Sequence, residues 1–500
     1  MMKRVAQAWA FASILLLPNY ADLTSGAGDA RMRSPVALTG VALAQLTDMA
    51  LVALFFLGLM AGLSRLPGWP KIRWGLMALL PVLLFARNLD VMPWDVRPGA
   101  VLAGGIVWAG LLTLLILKAP RFADKLSRGG SSLLAGFAVF ALVMTVQLGR
   151  ATLWRPGPQS FKSPMPAASP HKLRLVWILF DELAYQPTFE ARDPGLQLPN
   201  LDRLRAESTL YTDMTPVAYR TTRAVPSLLL GKAVTDVTYT ANNHYLVQLE
   251  NDTHWQELDA NTTLFGMAKR DGLTTSIVGW YIAYCPVFLG VASECYWANE
   301  DAQDRGPTST SASFLENVWF PLRILAEQAV APGKAWADVA AWNANGHEAA
   351  VKDIEEHALK TVSDSQADIL YLHLPAPHPP AVWDRRTGTY GLGGSYLDSL
   401  DYSDRVLGKI LDVLEAQPRW AETTLIVQGD HSWRTDMWRP LPGWSAEDER
   451  ISHGGKWDPR PLLLIHAPGQ KRAETVTAQT SIMYVHHRVA SEIEAMASGR

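Results

Sequence analysis

The stretch Leu425-Ile-Val-Gln-Gly-Asp-His431 decides how the chain is interpreted, because a short apolar run ends directly in an aspartate and a histidine. A parallel strand that is buried on both faces is a continuous apolar run, and an open α/β sheet binds ligands just beyond the carboxyl ends of its strands. Aspartate and histidine are common ligands of Zn²⁺ and related divalent cations. A capped turn has the same pattern, so the pair alone leaves both interpretations open.

Short apolar runs alternate with helical patterns throughout the second part of the chain. The predicted strands are residues 173–180, 274–280, 368–374, 423–427 and 461–465. The predicted helices are residues 198–207 and 396–414, and the second has apolar residues spaced three and four apart. This alternation predicts a parallel, doubly wound α/β sheet.

Polar side chains with ligand chemistry occur at the ends of three of these strands. In a doubly wound sheet these ends share one edge, so residues that are distant in sequence can converge there. Two carboxylates and a histidine would hold a divalent cation, with Zn²⁺ or Mn²⁺ expected, whereas the alternative is that each polar group caps a separate helix. The residues concerned are Asp181, Glu182, His373, His378, Asp430 and His431.

A hydroxyl-rich segment, Tyr219-Arg-Thr-Thr-Arg-Ala-Val-Pro-Ser-Leu-Leu-Leu-Gly231, leads into a possible helix over residues 224–230. A threonine at the start of that helix would lie beside free N–H groups and the positive end of the helix dipole. Such surroundings suit an alkoxide nucleophile or a bound phosphate, and the alternative is a threonine that only caps the helix. Arg220 or Arg223 could clamp an anion here, or either could be a surface residue.

The first 150 residues differ from the rest because they contain long uncharged runs. We predict five membrane segments, at about residues 5–17, 36–63, 74–85, 100–117 and 132–148. Three lysine- and arginine-rich flanks alternate with two mixed loops that carry Asp22, Asp29, Asp90 and Asp95. This alternation places the N-terminus on the inner side of the membrane and everything beyond Arg150 on the outer side. The first segment also has features of a signal peptide, although no convincing small-x-small cleavage site follows it.

Composition sets further limits on the soluble part. Residues 151–172 are rich in proline and serine, which predicts an extended linker before a domain over residues 173–500. The net charge of −3 argues against nucleic acid as a partner. Cys285 and Cys295 both fall on the predicted outer side, where a disulfide is chemically allowed. Four tryptophans follow the Asp-His pair and could form a platform for a sugar or lipid headgroup or simply pack a loop.

Several segments of residues 173–470 resemble the alkaline-phosphatase/sulfatase superfamily and follow its order. They are Val176-Trp-Ile-Leu-Phe-Asp-Glu182, Leu198-Pro-Asn-Leu-Asp-Arg-Leu204, the Thr221 to Gly231 segment, Pro377-His-Pro-Pro380, the helix that begins at Tyr396, Gly429-Asp-His431, and His453 before the strand at 461–465. In that family the nucleophile sits ten positions before the glycine, which here is Thr221. The resemblance thus implies a sulfatase-like α/β catalytic domain with a threonine nucleophile.

The resemblance also implies roles for individual residues. The metal ligands would be Asp181, Thr221, Asp430 and His431, with Glu182 replacing or joining Asp181. His378 resembles the histidine that binds the substrate anion or acts as general acid. His453 resembles a later histidine that binds a second metal or contacts the substrate. Arg220, Arg223 and His373 are the predicted substrate-binding residues.

One departure from the family concerns the reaction. Sulfatases carry a Cys-x-Pro-x-Arg or Ser-x-Pro-x-Arg segment whose first residue is oxidised to formylglycine, whereas this chain has Thr221-Thr-Arg-Ala-Val-Pro226. An unmodified threonine, like five membrane helices before an outer domain, resembles the phosphoethanolamine transferases and lipoteichoic acid synthases. This implies a multi-pass enzyme of the inner (plasma) membrane with its catalytic domain on the outer, periplasmic side. It would transfer or hydrolyse a phosphate-type ester and act on a lipid-linked donor or an envelope glycan.

Two alternatives remain open from the sequence. One is a hydrolase of sulfate or phosphate esters that uses water as the acceptor. The other is a non-catalytic envelope protein that has kept the fold to bind a glycan or an assembly partner.

Overall fold

The structure is a computed structural model that describes residues 2–24, 34, 36–88, 98–164, 171–239, 244–299, 308–310, 312–441 and 443–499. The predicted loop positions Asp29, Asp90 and Asp95 and the linker residues 165–170 lie outside these ranges. The described residues form two compact units. One unit lies within residues 1–26, 37–155 and 303–335, and the other within 27–36, 156–302 and 336–500.

The two units differ in secondary structure, since the first is helical and the second combines helices with strands. The helices are α1 (Met2–Thr24), α2 (Thr39–Leu63), α3 (Trp69–Arg87), α4 (Pro98–Lys118), α5 (Pro120–Gly136), α6 (Ala138–Leu153), α7 (Pro199–Ala206), α8 (Thr221–Leu230), α9 (Leu264–Arg270), α10 (Tyr284–Val287), α11 (Phe314–Val330), α12 (Pro332–Asp364), α13 (Tyr396–Glu415), α14 (Thr435–Trp438), α15 (Ala446–Ile451) and α16 (Tyr484–Ala497). The strands are β1 (Ser160–Lys162), β2 (Arg174–Phe180), β3 (Thr209–Tyr211), β4 (Met214–Thr215), β5 (Val234–Tyr239), β6 (Tyr245–Leu249), β7 (Asp252–Glu257), β8 (Thr275–Trp280), β9 (Glu294–Ala298), β10 (Ile369–Leu374), β11 (Trp383–Asp384), β12 (Thr389–Tyr390), β13 (Thr423–Gly429), β14 (Leu463–His466), β15 (Glu474–Val476) and β16 (Thr480–Ser481).

The helical unit supports part of the membrane prediction. Two of its described helical segments are long and apolar enough to cross a membrane, namely α2 (Thr39–Leu63) and Ser132–Leu153, which runs from the end of α5 through α6. The predicted fourth segment is a shorter apolar helix, Ala103–Lys118. The predicted first and third segments form the helices α1 and α3, and their crossing of a membrane stays a prediction.

Two boundaries differ from the sequence prediction. The basic stretch between the fourth and fifth segments is not a loop but the helix α5, whose charged residues alternate with apolar ones at helical spacing. Helix α11 falls inside the predicted catalytic domain, yet it packs against α2 in the helical unit. Hydrophobic periodicity identifies such a helix without telling which unit buries it, so the sequence could not assign it.

The second unit is built on a mixed sheet. Among the described residues its strand order is β1-β9-β8-β10-β2-β13-β14-β3-β15. Five adjacent strands, namely β9, β8, β10, β2 and β13, are parallel, as predicted. Strand β14 is antiparallel to β13, and β1 is antiparallel to β9. The predicted linker therefore contributes β1 to the sheet edge. The five predicted strands and two predicted helices of this unit are all present.

The core of this unit lies on both faces of the sheet. Alternate residues of β2 point to opposite faces, so Trp177 lies in the core that α8, α9 and α16 cover, whereas Ile178 lies in the core that α7, α12 and α13 cover. All seven residues of β2 and all seven of β13 are buried. A disulfide joins Cys285 at the start of α10 to Cys295 in β9, as the sequence allowed. The result is the doubly wound arrangement, with the strand ends free to form a site.

Candidate active site

The carboxyl ends of the four adjacent parallel strands β8, β10, β2 and β13 form one edge of the sheet. Asp181 follows β2, His373 is the penultimate residue of β10, and Asp430 and His431 follow β13. All four side chains are at most 1% exposed. The structure thus brings together residues that are up to 250 positions apart, as the sheet prediction required.

Asp430 is placed by a close approach between two chain segments. Gly429 lies against the loop after β2, where a Cβ atom would be 2.3 Å from the carbonyl oxygen of Leu183. Asp430 Oδ1 accepts hydrogen bonds from the backbone N–H groups of Glu182 (3.0 Å) and His431 (2.8 Å). Only a glycine before Asp430 lets its carboxylate bridge the two strand ends in this way.

Thr221 is the first residue of α8 and its side chain points into this cluster. Its Oγ1 lies 3.1 Å from His431 Nε2 and 3.3 and 3.4 Å from the two carboxylate oxygens of Asp181. The N-cap residue is Arg220, which makes no capping side-chain hydrogen bond. The helix begins three residues earlier than the sequence indicated, and Thr221 does not act as its cap.

The protonation state of His431 follows from its second nitrogen. Nδ1 lies 3.0 Å from the carbonyl oxygen of Ser432, which accepts a hydrogen bond and therefore places the proton on Nδ1. Nε2 then presents a lone pair to Thr221, to Asp430 Oδ2 at 3.2 Å and to Asp181 Oδ1 at 3.8 Å. Burial lowers the pKa of His431 to about 3, so the ring is neutral at physiological pH. This is the form of histidine that binds a metal ion.

The charges of the cluster fit a divalent cation. Burial, followed by repulsion from Asp430, raises the pKa of Asp181 well above its usual range, and burial also raises the pKa of Asp430. Asp430 Oδ2 and His373 Nε2 are buried and have no hydrogen-bond partner among the described residues. One ligand atom each from Asp181, His373 and Asp430 lie within 4.8 Å of one another. Buried, unpartnered carboxylate and imidazole atoms at this spacing suit a divalent cation.

Glu182 points to a different partner although it follows Asp181 directly. Its carboxylate is in a salt bridge with Arg434, which bonds Oε1 through Nε at 2.5 Å, and it accepts the indole N–H of Trp438 at 2.9 Å. Glu182 has a positive φ of 66°, which costs a non-glycine residue about 1–2 kcal/mol. Its oxygens also lie within 4.8 Å of ligand atoms of Asp181 and His378, so its predicted metal role stays a prediction.

His378 lies beside the Glu182 pair. Its ring contacts Trp438 edge-on at 5.0 Å and Trp280 at 5.8 Å, and its Nδ1 has no hydrogen-bond partner among the described residues. Burial, and then the positive charge of Arg434, lower the pKa of His378 well below its usual range. His378 is therefore neutral, which suits a group that accepts a proton.

Three of the predicted site residues have no contact, among the described residues, with the cluster of Asp181, His373, Asp430 and His431. Arg220 is exposed at the start of α8. Arg223 is paired with Asp236 at 3.0 Å, with about half of each side chain exposed. His453 is exposed in a turn with a φ of 52°, and its backbone N–H bonds to Arg450. Their predicted roles in substrate binding and catalysis stay predictions.

Two residues of the site, Trp280 and Arg434, were missed by sequence reasoning, whereas Trp438 was one of the four tryptophans proposed as a platform. Trp280 ends β8 and donates its indole N–H to Asp181 at 2.8 Å, whereas Arg434 and Trp438 hold Glu182. Trp280 is the last residue of a predicted strand, and this position at the carboxyl edge of the sheet could have identified it as a site residue. Of the tryptophans proposed as a platform, Trp433 stacks between Tyr396 and Trp444 in the core, which is packing rather than ligand binding.

The family is identified by comparison with known proteins. The sulfatase family model matches residues 174–492, more than half of the 500-residue chain. In a comparison with curated protein sequences no significant match was found.

Solved structures with similar folds include sulfatases and related hydrolases. The PsFucS1 sulfatase from Pseudoalteromonas sp. is 12% identical, with 64% of this chain and 67% of that chain covered and a TM-score of 0.42. The phosphonate monoester hydrolase SpPMH from Silicibacter pomeroyi is 14% identical, with 64% and 73% covered and a TM-score of 0.37. A protein of the alkaline phosphatase superfamily from Vibrio parahaemolyticus is 16% identical, with 67% and 69% covered and a TM-score of 0.37. On the family match over residues 174–492, the chain belongs to the sulfatase family of the alkaline-phosphatase/sulfatase superfamily.

Proposed function

We propose that the protein is a membrane-anchored, metal-dependent enzyme that transfers or hydrolyses a phosphate-type ester, with Thr221 as its nucleophile. The observation that carries this proposal is the position of Thr221 Oγ1, which is buried 3.1 Å from His431 Nε2 and 3.3 Å from Asp181. An unmodified threonine favours phosphoryl-type transfer over the formylglycine chemistry of sulfatases.

The residues that would hold the cation are Asp181, Thr221, Asp430 and His431. A divalent cation bound there would lower the pKa of the Thr221 hydroxyl and neutralise charge on the non-bridging oxygens of the ester. Thr221 Oγ then forms a bond to phosphorus while the bond to the leaving alcohol oxygen breaks, and that oxygen takes up a proton. The product of this step is a covalent phosphothreonine ester.

His378 suits the second step. An acceptor hydroxyl or water attacks the phosphorus of the phosphothreonine, and the bond to Thr221 Oγ breaks. Neutral His378 can take the proton of the acceptor through Nδ1, which has no hydrogen-bond partner among the described residues. This differs from the general-acid role that the family resemblance suggested. Protonation of the first leaving group is then left to His453 or to water.

The membrane location is part of the same proposal. Two described helices are long and apolar enough to cross a membrane, and the disulfide between Cys285 and Cys295 is typical of a domain outside the reducing cytosol. Both features support a catalytic domain on the outer side of the inner membrane. A lipid-linked donor or an envelope glycan is the substrate class that such a location favours.

The test compares Thr221→Ala with Thr222→Ala in the full-length protein. Thr222 is the neighbouring, half-buried threonine and serves as the matched control. We expect Thr221→Ala to abolish turnover and Thr222→Ala to retain it, with changes in envelope lipids and glycans followed by mass spectrometry. Intact-mass measurement should detect a covalent adduct in the active protein and none in Thr221→Ala. Full activity of Thr221→Ala would overturn the assignment.

A further inference from the structure

A buried row of three side chains lies behind the metal-binding cluster. His373 Nδ1 is 2.8 Å from the hydroxyl of Tyr284, and that hydroxyl is 3.1 Å from the hydroxyl of Tyr371. The three side chains are at most 1% exposed. The four ligands named in the proposed function do not include a member of this row, and the proposed reaction does not use it, so its purpose needs a separate account.

The first member of the row faces the two carboxylates. A ring nitrogen of His373 lies within 4.8 Å of carboxylate oxygens of Asp181 and Asp430. Nδ1 is engaged by Tyr284, which leaves Nε2 as the nitrogen available to a metal ion, and Nε2 is buried without a hydrogen-bond partner among the described residues. A buried imidazole nitrogen left unpaired is costly unless something binds it.

The second member is held firmly in place. Tyr284 begins α10, and the next residue, Cys285, is joined by a disulfide to Cys295 in β9. The tyrosine ring fills the space above Gly279 of β8, where a Cβ atom would be 2.0 Å from Tyr284 Cδ2. A side chain at position 279 would therefore displace the ring. The chain thus fixes Tyr284 both through its neighbour and through the glycine beneath it.

We infer that His373 is a further ligand of the metal centre, binding through Nε2, and that Tyr284 is a positioning residue that fixes its ring. This inference rests on the metal dependence in the proposed function and adds to it. With the metal on Nε2, the neutral ring carries its proton on Nδ1 and donates it to the Tyr284 hydroxyl, which in turn donates to Tyr371. His373 then belongs to the metal site rather than to the substrate-binding set that the sequence suggested.

The experiment uses full-length protein in detergent, stripped of metal and reloaded with one equivalent of Zn²⁺. X-ray absorption at the zinc edge counts imidazole ligands, and competition with a chelator gives the zinc affinity. In the wild type we expect two imidazoles, from His373 and His431. His373→Gln should leave one imidazole and weaken zinc binding by at least about 10-fold, and Tyr284→Phe should weaken it by roughly 10-fold with two imidazoles retained.

Two matched controls remove comparable groups elsewhere in the domain. Tyr402→Phe deletes a buried hydroxyl that bonds Glu355, and His466→Gln removes a buried histidine stacked on Trp420. Both controls should bind zinc as the wild type does. If His373→Gln fails to fold, the number of imidazole ligands in the wild type and the zinc affinity of the isosteric Tyr284→Phe variant still test the inference.

The outcomes separate this inference from the proposed function. A single imidazole in the wild type, or unchanged zinc affinity in His373→Gln, overturns the role of His373. Unchanged affinity in Tyr284→Phe overturns the positioning role. If the wild type binds zinc through two imidazoles but turns over no phosphate ester, the proposed function fails and this inference stands. A wild type that binds no zinc overturns both.

Discussion

Asp181 and Glu182 are consecutive carboxylates at the end of β2, but their surroundings are opposite. Glu182 is paired with the buried guanidinium of Arg434 and also accepts the indole N–H of Trp438. Asp181 likewise accepts an indole N–H, from Trp280, but its other neighbours are the hydroxyl of Thr221, the Asp430 carboxylate and neutral imidazoles. The pKa values of both aspartates are raised. The half of the site around Glu182 therefore contains its own cation, the guanidinium of Arg434. The half around Asp181 has ligand atoms whose negative charge requires a bound metal ion.

The strongest test of this contrast removes a carboxylate from the half that lacks a cation. Asp430→Asn should lower zinc affinity by about 100-fold or more, since the loss of a direct ligand should cost at least as much as the loss of an outer-shell partner. The measurement is the metal content after dialysis against a weak chelator. Asp404→Asn is the matched control, because Asp404 is a buried carboxylate that bonds the backbone of α7. Retention of zinc by Asp430→Asn would remove the basis for the contrast.

The next test addresses the half with its own cation. Glu182→Gln leaves Arg434 buried, at 6% exposure, without its salt-bridge partner, which should lower the free energy of unfolding by about 3–5 kcal/mol. The double change Glu182→Gln with Arg434→Met should restore part of that loss, because no buried charge is left unpaired. Denaturant unfolding measures both. If Glu182→Gln instead loses zinc as Asp430→Asn does, Glu182 is a metal ligand, as the family resemblance implied.

A third prediction concerns pH, and its sign follows from the raised pKa values of Asp181 and Asp430. An aspartate of the unfolded chain titrates near pH 4, so the contribution of these groups to stability is complete below about pH 4. It is lost as the pH rises through the raised pKa values of the folded protein, with a slope of about 1.4 kcal/mol per pH unit for each proton involved. Below about pH 6.5 the buried neutral histidines oppose this trend, because they bind protons only in the unfolded chain. The unfolding midpoint of the EDTA-treated protein should therefore fall as the pH rises above that value.

Added Zn²⁺ should reverse this trend, because the metal binds the deprotonated carboxylates and gains affinity as they lose protons. The stabilisation by zinc, measured as the change in unfolding midpoint, should thus grow with pH. A metal-free protein whose midpoint rises over the same range would show that Arg434 already balances the charge of both halves.

The same contrast shows what the sequence could predict. Apolar runs that end in Asp181 and Asp430 indicate buried parallel strands, and the fold rules then bring their ends together, so this half of the site was predictable. The partner of Glu182 was not, because Arg434 follows its strand by five residues and its direction depends on how the loop and α14 turn back. Similarly, the antiparallel direction of β14 has no signature in its apolar residues.

The smallest effect is expected at Arg223, one of the two arginines that the sequence proposed as an anion clamp. Arg223 and Asp236 are both about half exposed, so their salt bridge should contribute less than about 1 kcal/mol, and Arg223→Ala should be nearly neutral in unfolding experiments. Turnover should change less than tenfold, in contrast to Arg434, which is buried beside Asp181 and His378. A larger rise in KM for Arg223→Ala, with kcat preserved, would show that Arg223 leaves Asp236 to bind the substrate anion, and the cationic part of the site would then extend to the start of α8.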